Sequence, residues 1–141
     1  MHDNANDILK SCHNKKLKTS VTTNGSLLTP SKLDKIYRFL DRIVFKVDFD
    51  NDIRNEDMGR NRDYFNKIVI LIDHINACYP ELKIAVKTVV TNYNFFYLPG
   101  LEKQLRKFNI DEWLLTEYCP PKDSTMENQN QVVSHEAFCG M

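Results

Sequence analysis

Four sets of polar side chains fall at the ends of β-type runs: Thr22 and Asn24; Lys46 and Asp48; Thr91, Asn92 and Asn94; and Glu117. Uncharged donors with one or two carboxylates among them suit a ligand that joins ribose hydroxyls to an amino-acid moiety. Arg60, in Met58-Gly59-Arg60, is placed to swing from a loop and grip a carboxylate through two parallel N–H bonds. No Ser/His/Asp or Cys/His arrangement stands out. His74 falls inside a helical pattern and reads as a surface or hydrogen-bonded residue rather than a base. A phosphate-cradling glycine loop is absent, and the chain holds only 4 glycines to build one.

The cysteines, Cys12, Cys78, Cys119 and Cys139, match no zinc or ferredoxin spacing. Cys78 follows a helical run and is expected to be a small buried hydrophobe. His135 and Cys139, four apart, could share a helix face, but two ligands do not make a metal site. No metal site is expected.

Elements that could position these groups alternate along the chain. Residues 5–14 form a short helical pattern with Ile8, Leu9 and Cys12 on one side. A strand is expected near 17–23, where β-branched Thr19, Val21, Thr22 and Thr23 cluster, and Asn24-Gly25 then supplies a sharp turn. Thr29 and Pro30 read as an N-cap and first helical residue, opening an amphipathic helix to about Arg42 through Leu33, Ile36, Tyr37 and Leu40. A mostly apolar strand follows at 43–48, then a long polar loop to Asn61. Residues 64–78 form a second strong helix, stopped by Pro80. The third strand spans 82–91, a third helix runs through Leu98, Leu101, Leu105 and Phe108, and the fourth strand lies at 112–118.

Strands alternating with helices predict an α/β fold with a parallel sheet of about four strands and right-handed crossovers. Four such strands are half of an eight-stranded barrel, or a small doubly wound sheet. Residues 1–121 would make the sheet domain, and 122–141 an exposed loop with the start of a helix capped by Ser134. The chain stops three residues after Phe138, as if that helix were cut short. In a parallel sheet the four polar endings converge on one rim. Asn and Asp also end strands simply as turn formers, so a shared rim depends on the strands being parallel and in register.

Bulk properties narrow the class. Lys+Arg and Asp+Glu each number 19, so no basic excess draws in nucleic acid. No apolar run approaches the ~20 residues of a membrane span, and His2-Asp3-Asn4 does not open a signal peptide. A cytoplasmic location is the expectation.

Against this pattern, Thr22-Thr23-Asn24-Gly25-Ser26-Leu27-Leu28 resembles the third strand and turn of radical S-adenosylmethionine enzymes. Val47-Asp48 is similar to that family's fourth strand, which usually reads Ser-x-Asp. Met58-Gly59-Arg60 and the helix from Tyr64 resemble its Gly-Arg segment. Thr88-Val89-Val90-Thr91-Asn92-Tyr93-Asn94 is similar to its fifth strand, residues 113–121 to its sixth, and residues 132–138 to the segment entering the next helix. Viperin-like members share this layout.

The resemblance implies a partial (β/α) barrel. There a 4Fe–4S cluster cleaves S-adenosylmethionine reductively, and the 5′-deoxyadenosyl radical abstracts hydrogen from a substrate. It implies that Thr22 and Asn24 line the cofactor site, that Asp48 sits by the ribose or methionine part, that Arg60 pairs the methionine carboxylate, and that Asn94 helps on the adenosine side. The family's three-cysteine cluster motif, with spacings of three and two residues, is absent, as is its Gly-Gly-Glu strand. Lys46 stands where a serine is common. The chain alone is therefore expected to be inactive: a truncated enzyme, a split half awaiting a complementing N-terminal half, or a cluster-free scaffold module.

Overall fold

A computed structural model describes residues 4–50, 54–55, 63–122 and 131–140. The elements are α1 (Ala5–Asn14), β1 (Ser20–Thr23), α2 (Pro30–Leu33), β2 (Arg42–Lys46), α3 (Tyr64–Cys78), β3 (Lys83–Val90), α4 (Leu98–Leu105), β4 (Glu112–Glu117) and α5 (His135–Cys139). Short 3-10 turns at Tyr37–Phe39 and Phe95–Tyr97 join them. The four strands form one sheet in the order β1-β2-β3-β4, every pair parallel. A doubly wound sheet reverses its strand order midway. This one runs in sequence order, so the sheet is that of a partial β/α barrel.

One face of the sheet is buried. Ile43, Phe45 and Val47 of the second strand region, with Ile84 and Val86 of β3, pack against Leu33, Ile36, Ile68, Leu71, Ile72, Ile75, Leu101 and Leu105. The helical spacing of Ile68, Leu71, Ile72 and Ile75 puts a continuous apolar stripe of α3 over the strands. Strand side chains alternate between faces. Val44, Lys46, Ala85 and Lys87 therefore belong to the opposite face, and none joins the core clusters.

The chain departs from the sequence pattern in four places. The amphipathic helix expected from Pro30 to about Arg42 stops at Leu33. Its N-cap is as read, with Lys32 N–H donating to Thr29 Oγ1 at 3.3 Å. Beyond it, Thr19 Oγ1 donates to the Phe39 carbonyl at 2.5 Å and Asp41 N–H donates to the Thr19 carbonyl at 3.1 Å. These bonds accompany an extended backbone at Leu40, so no helical winding continues past the turn at Tyr37–Phe39. β1 begins at Ser20 rather than 17, because Thr19 already serves that junction. Cys78 is exposed rather than buried, since it sits on the outward side of the last turn of α3. The segment before α5 does bury side chains: Val133 packs with Val90 and Leu98, helped by Phe138. Most of the loop after β2, and residues 123–130, lie outside the described residues. No described helix is long and apolar enough to cross a membrane.

The base of the sheet uses one device twice. Asp41, just before β2, accepts Thr19 N–H at 2.7 Å and pairs with Lys18 at 2.8 Å. Asp111, just before β4, accepts Ile84 N–H at 2.8 Å and pairs with Lys83 at 2.9 Å. The lysine bond first, then the backbone N–H, holds each carboxyl below the usual carboxylate range. A lowered folded value means stability that is present above the ordinary carboxylate pKa and lost as pH falls through the lowered one. Melting temperature is therefore expected to be flat near neutrality and to fall below about pH 4. The double variant D41N/D111N should melt lower at pH 7 and lose this part of the acid slope. In the core, Ile72→Ala is expected to cost about 2–5 kcal/mol in urea unfolding.

Candidate functional site

Because all pairs are parallel, the C-terminal ends of the strands share one rim. At β1 the polar residues build the turn itself. Gly25 N–H donates to Thr23 Oγ1 at 3.0 Å, and Asn24 Oδ1 accepts from Ser26 N–H at 3.1 Å and Ser26 Oγ at 2.8 Å. Gly25 has φ +71°, and a Cβ there would overlap Ile68 Cδ1 of α3. Glycine is needed twice over, for the left-handed backbone and for the close approach. Lys67 of α3 also donates to the Ser26 carbonyl at 2.5 Å. The turn is thus pinned to α3, leaving Thr22 and Asn24 exposed.

At β2 and β3 the rim is closed by a buried network. Asp48 Oδ1 accepts Val89 N–H at 3.1 Å. Asn94, only 1% exposed, donates Nδ2 to the Asp48 carbonyl at 3.3 Å and to the Val89 carbonyl at 2.8 Å. Its Oδ1 accepts Thr91 N–H at 2.8 Å. One amide therefore ties both strand ends together. Thr88, fully buried, adds a second tie by donating to the Val47 carbonyl at 2.5 Å and accepting from Trp113 Nε1 at 3.0 Å. The Tyr64 hydroxyl of α3 donates to the Lys46 carbonyl.

The predicted site residues thus divide. Thr22, Asn24, Asp48 and Asn94 lie on one rim. Arg60 lies outside the described residues. Glu117 shares the rim but not the face: its register partner is Val90, on the helix-packed side, and its Oε2 sits 3.3 Å from His135 Nδ1. His74 is satisfied by Asp34, with Nε2 2.8 Å from Oδ1. The same Asp34 accepts the Tyr79 hydroxyl, which raises that phenol to about 12. Sequence reasoning missed Thr88, Tyr64 and Lys87. For Thr88 the available signal was a hydroxyl placed on the buried face of an otherwise apolar strand.

Strand order and connectivity together define a partial β/α-barrel fold, and comparison with solved structures finds the same fold. SuiB of Streptococcus suis, bound to S-adenosylmethionine, superposes with a TM-score of 0.70 and 19% identity, covering 88% of this chain and 28% of SuiB. A second structure of SuiB gives a TM-score of 0.69 and 20% identity over 85% of this chain and 27% of SuiB. The chain thus spans little more than a quarter of SuiB's length. The sequence matches no protein-family model and no curated protein.

Asn94→Ala would strand a buried N–H and two carbonyls. It is expected to cost about 1–3 kcal/mol in chemical denaturation and to raise amide exchange at Thr91 and Val89.

Proposed function

We propose that this chain forms one wall of an S-adenosylmethionine site in a radical S-adenosylmethionine barrel. The single observation that carries the reading is the sequential parallel sheet, superposable on SuiB bound to that cofactor, with an exposed polar end on β1. In this reading Thr22 and Asn24 line the cofactor from β1, where the turn pinned to α3 holds them without further ordering. Asp48 presents the end of β2 to the ribose or methionine part, its carboxylate oriented by Val89 N–H. Asn94 acts on the adenosine side as a positioning residue, because its amide is committed to the two strand ends. Arg60 pairs the methionine carboxylate.

A 4Fe–4S cluster does not fit these residues. Cys12, Cys78, Cys119 and Cys139 belong to separate elements, and no group of three ligating side chains gathers among the described residues. When bound to such a cluster, S-adenosylmethionine supplies hydrogen-atom abstraction. Here the ligands for the cluster would come from a polypeptide segment bearing three closely spaced cysteines, outside this stretch of sequence. The chain alone would be inactive.

A second reading, a cluster-free interaction module or split half, is favoured by the outer edge of β1. Among the described residues nothing pairs with it, and Ile8 and Leu27 are exposed beside it.

Anaerobic incubation of the chain with iron and sulfide is expected to give no 4Fe–4S absorbance. In NMR titration, S-adenosylmethionine should shift the amides of Thr22, Asn24 and Asp48. A stable cluster on this chain would overturn the missing-ligand argument, and unmoved rim amides would leave the interaction module as the better account.

A further inference from the structure

The open face of the sheet carries a charge arrangement that the cofactor reading leaves unused. Lys46, the last residue of β2, is the direct register partner of Lys87 in β3. Alternation puts both opposite the core, since Phe45, Val47 and Val86 all face the helices. Neighbouring strands run about 4.8 Å apart, so the two side chains rise next to each other.

Nothing described neutralises them. Among the described residues neither lysine has an ion pair, whereas Lys18 and Lys83 at the base of the sheet are paired with Asp41 and Asp111. Arg42, on the same face, is matched by Glu112 at 3.0 Å. Asp48, two residues beyond Lys46 toward the rim, is 8% exposed with Oδ1 on Val89 N–H. Glu117 faces the other way, toward His135. Two residues back along the same face lie Val44 and Ala85, both buried, with Leu114 as Lys87's partner on β4. Two like charges held in register beside apolar neighbours repel each other unless an anion sits between them. The natural complement is an anionic head on an organic body.

We propose that Lys46 and Lys87 together form an anion-binding site on the open face of the barrel sheet, and that the substrate carries a phosphate or carboxylate group gripped by both. The proposal rests on the reading above only in taking this face as the ligand-binding one. It assigns a substrate class: a small organic anion.

Calorimetric titration of the full chain with pyrophosphate and with succinate, at constant ionic strength, tests it. At least one probe should bind, and K46Q or K87Q should each weaken binding by about tenfold, as expected for one charge-assisted contact. The double variant should abolish it, whereas K46R/K87R and the control K103Q should retain it. Stronger binding of pyrophosphate assigns a phosphate group to the substrate, and stronger binding of succinate a carboxylate. Retained cooperative melting in K46Q/K87Q separates loss of charge from loss of fold. The proposal is overturned if neither probe binds, or if the double glutamine variant binds as well as the parent. Titrating the same sample with S-adenosylmethionine keeps the two readings apart. A response at Thr22 and Asn24 without anion binding removes the lysine site alone, and anion binding without that response removes the cofactor wall alone.

Discussion

Phe45 and Val86 lie side by side in adjacent parallel strands, and the register that pairs them governs the rest of the molecule. With both rings and branches committed to the helix layer, strand geometry sends Lys46 and Lys87 to the opposite face. A slip of one residue by either strand would bury its lysine and turn its core side chains outward, so hydrophobic burial enforces the register strongly. Thr88 and Asn94 fasten the same two strands at their far ends through hydrogen bonds from polar groups buried where water cannot replace them. The polar rim is thus a by-product of core formation rather than a separate construction.

The same economy appears at the opposite end of the sheet. Asp41 and Asp111 each begin a strand by capturing a backbone N–H at the foot of the preceding strand region. Each joins one βα unit to the next, and each leaves the C-terminal rim free of that duty. In β/α barrels the C-terminal ends of the strands are where ligand sites are expected and the opposite end carries structural ties of this kind. The rim is not wholly free of structural work, however. Asn94 and the Asp48 carboxylate are engaged in closing it, so Thr22 and Asn24 on β1 have the greater access to a ligand.

How far this was legible depended on whether a residue's role was local. Thr29 at the cap of α2, Gly25 at the turn and the apolar stripe of α3 follow from nearest-neighbour geometry, and each is where the pattern put it. That the segment expected to be helical to Arg42 turns extended at Leu40 was not legible, because its bonds at Phe39 and Asp41 go to Thr19, some twenty residues away. Cys78 departs from its residue type for a similar reason: type favours burial, but its side of the last turn of α3 faces outward. Val133 contributes to the small core near Val90 only because the chain returns to that strand, a contact no local pattern announces.

The sequence by itself determined the alternation of strands and helices, the polar strand endings and the absence of cluster-forming cysteines. These depend on periodicity, turn chemistry and counting, all properties of neighbouring residues. Only the tertiary structure decided that the strands run in sequence order, that Asn94 closes the rim, that Glu117 turns away from it and that Lys46 meets Lys87. Those outcomes turn on which strand lies beside which and in what register. That is set by the burial of one whole sheet face, a cooperative property that no single segment carries.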